Sequence, residues 1–173
     1  PDKAPKAEQA PKKAGEVLCF SCHRVHRHLL SAPRRRSADL PMERPEMAIH
    51  KFATMMSRGQ EIPVYGDGGS ARDYTYIDDI VQGTVASLDR CEGYEIYNLG
   101  ESRTTRLDEL VDKLSRALGI PAKLRWEPNQ PGDVPITYAD ISHARARLGY
   151  DPHTFIDEGL ERFAAWFHRE GVK

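Results

Sequence analysis

Residues 62–83 read IPVYGDGGSARDYTYIDDIVQG, and the pattern changes twice within this one stretch. Ile62–Tyr65 is a short run of strand-forming residues closed by Gly66-Asp67-Gly68-Gly69, a composition that makes a tight turn. A polar segment with Arg72, Asp73 and Tyr74 follows. From Ile77 to Arg90 the apolar residues Ile80, Val81, Val85 and Leu88 recur at helical spacing, which predicts that they are buried. Asp78 or Asp79 stands near the helix start, where a carboxylate suits the helix dipole. Strand, glycine turn and helix in this order are the units of an α/β chain.

The flanking segments repeat that alternation. MAIHKFATMMSRG (47–59) places Met47, Ile49, Phe52, Ala53 and Met56 at helical spacing and stops at Gly59. YEIYNLG (94–100) alternates as a strand, and TTRLDELVDKLSRALG (104–119) predicts a helix with Thr105 as N-cap and Gly119 at its end. AKLRWEP (122–128) is a further strand, and DISHARARLGY (140–150) runs as a helix from a capping Asp140 to Gly149. The last helix lies in FIDEGLERFAAWFHREG (155–171), with Ile156, Leu160, Phe163, Ala164 and Phe167 on its buried stripe. The fold class is therefore α/β.

Before Met47 the regularity fails. Residues 1–13 read as a Pro/Lys/Ala linker, and residues 14–25, AGEVLCFSCHRV, as a helix with Val17, Leu18, Phe20, Ser21 and Val25 on one side. The stretch 26–46, HRHLLSAPRRRSADLPMERPE, has no period and is expected to be loop or disordered, with Arg34–Arg36 a solvated basic run. CFSCHR (19–24) contains C-x-x-C-H, the haem-attachment spelling, and with His26 and His28 nearby a zinc site is the other chemical option.

The bulk numbers narrow the classes. The 173-residue chain carries a net charge of −1, which gives it no general pull toward nucleic acid or anionic membranes. No apolar run approaches the roughly 18 residues of a membrane span. The first residues are charged with no apolar signal region and no initiator Met, so a fragment or processed piece is expected. Three cysteines, an odd number, without an export signal predict free thiols in a reducing cytoplasm.

The dinucleotide fingerprint G-x-G-x-x-G is absent, as are the P-loop, G-x-S-x-G and H-E-x-x-H. What recurs is polar groups in loops after strands: Arg72-Asp73-Tyr74, Asn98, and Gln130-Pro131-Gly132-Asp133. An arginine beside a glycine turn can fork onto phosphate, and an aspartate after Pro-Gly can accept two ribose hydroxyls. The plainer alternatives are that Arg72 pairs with Asp73 or Asp79, that Asn98 makes a turn and that Asp133 caps one.

RPEMAIHKF, IPVYGDGGSARDYTYIDDIVQG, YEIYNLGES, QPGDVPITYADISHARARLGYDPHT and IDEGLERFAAWF, in this order, resemble the carboxyl-terminal part of an extended short-chain dehydrogenase/reductase. Within that family they are most similar to the nucleotide-sugar epimerases of the UDP-glucuronate 4-epimerase branch. The resemblance implies an NAD-binding Rossmann half that is largely missing here, and a smaller UDP-sugar-binding half that is retained as a small sheet with helices. It implies epimerisation through a C4-keto intermediate with bound NAD, and homodimers are common in the family. By resemblance, Val64 and Tyr65 belong to the strand whose backbone meets uracil, Arg72 binds the UDP phosphates, Asn98 lies on the substrate side, and Asp133 meets the uridine end.

The departures from the family concentrate at the amino terminus. KKAGEVLC resembles the helix after Y-x-x-x-K, which puts Lys12 at the catalytic and NAD-binding lysine and Glu8 at the tyrosine. A carboxyl with an ordinary pKa of about 4.3 is a far weaker base than a phenol of about 10. Residues 26–43 do not match the family's residues although their number does, as a compensated pair of frameshifts would produce. The expected organisation is a degenerate or disordered remnant of the NAD half at 1–43 and a UDP-sugar-binding unit at 44–170, inactive and without NAD on its own; the alternative is a non-catalytic UDP-sugar-binding remnant. In that alignment Cys19 is an ordinary helix residue, and the haem spelling is a coincidence.

Overall fold

The computed structural model describes residues 30–35, 38–39, 48–90, 92–129 and 134–170. Five helices are described: α1 (Ala48–Ser57), α2 (Ile77–Asp89), α3 (Leu107–Leu118), α4 (Ser142–Leu148) and α5 (Ile156–Glu170). The strands are β1 (Leu30–Arg35), β2 (Ala38–Asp39), β3 (Glu61–Tyr65), β4 (Ala71–Arg72), β5 (Thr75–Tyr76), β6 (Tyr94–Leu99), β7 (Thr105–Arg106), β8 (Lys123–Glu127) and β9 (Ile136–Thr137). Pairing is mostly parallel: β1 with β6, β2 with β5, β3 with β8, and β4 with β9; β4 also pairs antiparallel with β7. The α/β expectation holds.

Two apolar cores organise these elements. In the larger, Ile49, Phe52 and Met56 of α1 meet Leu110, Val111 and Leu114 of α3 and Leu160, Phe163 and Phe167 of α5, with Ile62 of β3 beneath them. The stripe predicted for the last helix is thus the one that packs. In the smaller, Ile80 of α2 meets Tyr97 and Leu99 of β6 and Ala144, Leu148 and Tyr150 at the end of α4.

Three expectations change. The aperiodic stretch 26–46 contains strand backbone: Leu30–Arg35 runs parallel to Tyr94–Leu99, and Ala38–Asp39 to Thr75–Tyr76. Strand pairing thus crosses the position between residues 43 and 44. On α2, Ile80 is buried, but Val81 and Val85 are about half exposed and Leu88 more so. The inward face is Asp79, Ile80, Gly83 and Ser87. A Cβ on Gly83 would lie 2.7 Å from Leu99 and 2.8 Å from Tyr150, so this helix lies against its neighbours through small residues. Thr105 is not an N-cap: it lies in β7, and α3 begins two residues later without a side-chain cap.

No helix among the described residues is long and apolar enough to cross a membrane. Glu8, Lys12, the cysteines and histidines of residues 19–28, and Asp133 all lie outside the described residues. Among the described residues no cluster of His, Cys, Asp or Glu could hold a metal ion.

Candidate functional site

The glycine turn is built by local hydrogen bonds. Gly66 N–H donates to the Glu127 carbonyl at 2.9 Å and Gly68 N–H to that of Tyr65 at 3.2 Å, while Asp67 Oδ1 accepts from Gly69 N–H at 2.8 Å. Gly68 has φ +71°, which favours glycine, and a Cβ there would lie 3.2 Å from Asp108 and 3.3 Å from Val64. The turn also satisfies the start of α3. Leu107 N–H donates to the Ser70 carbonyl at 2.9 Å and Asp108 N–H to that of Gly68 at 3.2 Å. Tertiary carbonyls thus do the work predicted for a side-chain cap.

The turn delivers the chain to β4, which carries Arg72. Ala71 N–H donates to the Pro135 carbonyl at 2.7 Å and Asp73 N–H to that of Thr137 at 3.1 Å. The Arg72 guanidinium donates through Nη1 to the Ala71 carbonyl at 2.9 Å and to the Pro135 carbonyl at 3.4 Å. Val64, fully buried, and the half-buried Tyr65 sit in the separate β3–β8 pair, opposite Trp126 and Glu127.

Asp73 is buried and collects four donors from three places. Its Oδ1 accepts from Glu101 N–H at 3.0 Å and from the Thr75 hydroxyl at 3.2 Å. Its Oδ2 accepts from Ser102 N–H at 3.1 Å and Ala139 N–H at 3.0 Å. Such bonds are charge-assisted and strong in a buried setting. They fasten the end of β4 to the loop that follows Asn98 and to the segment after β9. Ser102, the non-glycine residue at positive φ (+59°) among the described residues, is held in this grip. Tyr150 closes the arrangement by donating its hydroxyl to the Gly100 carbonyl at 2.9 Å, and burial pushes its pKa well above the usual phenol value.

Two further acids lie nearby. Asp79, also buried, accepts from Thr154 N–H at 3.0 Å and His153 N–H at 3.4 Å, tying α2 to the segment before α5. Glu101 is buried with its Oε1 unpartnered. Desolvation first, then the negative charge of Asp73, push its pKa up to about 7, with Arg103 pulling the other way.

Of the residues predicted for the site, Arg72 and Asn98 belong to segments that Asp73 gathers; Val64 and Tyr65 reach Arg72 only through the glycine turn. Sequence reasoning named Asp73 only as an ion-pair partner for Arg72 and missed Gly100, Glu101 and Tyr150. A buried acceptor looks like any loop aspartate when the backbone donors it serves are distant in sequence. A small apolar niche between Ile49, Tyr74, Tyr76, Phe155 and Leu160 has room for about one water and includes none of the predicted site residues.

The glycine turn does not form a pyrophosphate cradle at α3. A pyrophosphate cradle needs open N–H groups at a helix N-terminus. At α3 the glycine turn presents carbonyl oxygens to those N–H groups instead.

A family model described as GDP-mannose 4,6 dehydratase matches residues 31–163. A UDP-glucuronate 4-epimerase of Thermodesulfobacterium geofontis is 38% identical over 91% of this chain and 49% of its own length. UDP-glucuronate 4-epimerase 1 of Arabidopsis thaliana is 35% identical over 91% of this chain and 41% of its own. The crystal structure of UDP-glucuronic acid 4-epimerase from Bacillus cereus in complex with NAD superposes with a TM-score of 0.80 at 31% identity, covering 91% of this chain and 50% of that one. The UDP-glucose 4-epimerase of Thermotoga maritima with UDP-glucose gives 0.85 at 25% identity, over 93% and 53%. The chain spans about half the length of the curated relatives it matches.

Proposed function

The chain belongs to the GDP-mannose 4,6 dehydratase family, among the extended short-chain dehydrogenase/reductases, and from that premise we propose that it is the UDP-sugar-binding half of a UDP-glucuronate 4-epimerase-like enzyme, inactive by itself. The observation that carries the reading is the Asp73 carboxylate, which draws the Arg72 strand end and the loop after Asn98 to one centre. In this reading Arg72 forks onto the diphosphate, the backbone at Val64–Tyr65 meets uracil, Asn98 faces the sugar and Asp133 takes the ribose hydroxyls. Lys12 is the remnant of the catalytic and NAD-binding lysine, with Glu8 where the family's tyrosine stands, and a reducing cytoplasm suits the odd number of cysteines.

NAD, when bound to a complete family member, accepts and returns the hydride at sugar C4. In this reading the chain's own part is to bind and orient the nucleotide sugar. Incubation with NAD and UDP-glucuronate, read by chromatography for UDP-galacturonate, is expected to give no product above a no-protein control. Ligand-observed NMR is expected to show UDP binding with Kd on the order of 0.1–1 mM. Turnover overturns the claim of inactivity, and absence of UDP binding overturns the claim of a ligand site.

A further inference from the structure

We propose that Asp73 is a positioning residue: its carboxylate sets the register of the segments that carry Arg72 and Asn98, and thereby the affinity of the site for nucleotide. The second half of this inference rests on the UDP-sugar reading; the first half rests on geometry alone.

Three pieces of chain distant in sequence converge on one carboxylate. Thr75 lies two residues on, Glu101 and Ser102 follow β6, and Ala139 follows β9. Both oxygens are used twice, by three backbone N–H groups and one hydroxyl. A cationic partner would anchor one side chain; backbone donors anchor the path of the chain itself. The three fastened segments are the continuation of the Arg72 strand, the continuation of the Asn98 strand and the continuation of the segment that follows residue 133. The close contact at Gly100 fits the same purpose, since a Cβ there would lie 2.6 Å from Ala139 and 2.8 Å from Asp73 Oδ2. The loops are pressed together as well as hydrogen-bonded, and Ser102 is kept at φ +59°, where a residue with a side chain is seldom found unless its surroundings impose it.

Asp79 is the built-in comparison. It is buried to the same degree and also accepts two backbone N–H groups, but it ties α2 to residues 153–154 rather than the site segments to one another. Loss of either carboxylate removes a buried polar tie, and only loss of Asp73 releases the Arg72 and Asn98 segments.

The test compares wild type, Asp73→Asn, the milder Thr75→Val and the control Asp79→Asn. Two readouts are taken on each folded chain: amide hydrogen exchange at Glu101, Ser102 and Ala139, and UDP titration by ligand-observed NMR. Asp73→Asn keeps one acceptor oxygen and loses the other, so exchange at these amides is expected to quicken together by about tenfold or more. UDP affinity is expected to fall by about tenfold. Thr75→Val removes one of the four donors and is expected to give the same pattern in smaller size, which keeps the proposal testable if Asp73→Asn does not fold. Asp79→Asn is expected to quicken Thr154 and leave both the three amides and the UDP affinity as in wild type. Unchanged exchange in Asp73→Asn and Thr75→Val overturns the proposal. Equal loss of UDP affinity in Asp79→Asn also overturns it, because the effect is then one of stability. If wild type binds no UDP, the UDP-sugar reading falls, and the exchange pattern alone decides whether Asp73 sets the register.

Discussion

Gly100 and Ala139 are packed so closely that a Cβ on Gly100 would lie 2.6 Å from the Cβ of Ala139. The obstacle is a methyl fixed to the backbone, with no flexible side chain to move aside. Gly100→Ala is therefore expected to destabilise the chain by about 1–3 kcal/mol through overpacking. A urea midpoint equal to that of wild type would show that the two segments separate freely.

The same glycine is held from the other side by Tyr150, whose hydroxyl donates to its carbonyl at 2.9 Å in a buried setting. Tyr150→Phe keeps the ring in its place between α2 and β6 and strands the carbonyl. The expected cost is about 1–3 kcal/mol, the penalty of one buried acceptor left unpaired. An unchanged midpoint in urea would mean that water reaches this carbonyl.

Glu101 gives the chain a pH dependence around neutrality. Its pKa of about 7 in the folded chain, raised chiefly by burial and next by Asp73, stands above the value of 4.5 for the free side chain. The folded chain thus keeps a proton that the unfolded chain releases between those two values. Stability from this group is fully present below the lower value and is lost as the pH rises through the higher one. The total is at most about 3 kcal/mol. Glu101→Gln is expected to flatten the fall in urea midpoint between pH 5 and 7.5. A variant with the wild-type slope would assign the dependence to other groups.

The helices were legible where large apolar residues make the contact. On α5 and α1 the bulky stripe is also the buried stripe, so period alone located the core. On α2 that logic reversed, because close approach at Gly83 requires small residues inside and leaves Val81, Val85 and Leu88 outside. Strand β1, LSAPRR, was illegible because its order comes from backbone pairing with β6 and its sequence has no alternation of apolar and polar residues. At the site, Arg72 and Asn98 could be named from motif and resemblance. The role of Asp73 could not, since its backbone partners lie twenty-eight to sixty-six residues away in sequence.

The contrast between the two kinds of helix face can be measured. Leu114 of α3 is fully buried in the larger core, and Leu114→Ala is expected to cost about 2–5 kcal/mol. Val85 of α2 is 50% exposed, and Val85→Ala is expected to stay within about 0.5 kcal/mol of wild type. A large loss at Val85 would mean that its exposed face is covered in solution.

Arg72 carries the last prediction. Its guanidinium is steered by the carbonyls of Ala71 and Pro135, so the head group is oriented in advance of any ligand. An arginine–phosphate fork is worth about 1.5–3 kcal/mol, a substantial share of the roughly 4–5.5 kcal/mol that a sub-millimolar to millimolar UDP site has to lose. Arg72→Ala is expected to weaken UDP binding by about ten- to a hundredfold, toward that of uridine, while the stability read from urea unfolding changes by less than about 1 kcal/mol, since a half-buried strand-end arginine supports little core. Arg72→Lys should fall between the two, because an ammonium supplies the charge without the planar fork. Uridine, which lacks the diphosphate, should bind wild type and Arg72→Ala alike. Ligand-observed NMR with both ligands on all three chains separates the cases. Equal UDP binding by wild type and Arg72→Ala would leave the arginine as a structural tie of β4 to Pro135, and a loss of uridine binding along with UDP would mean that the substitution had deformed the strand end instead.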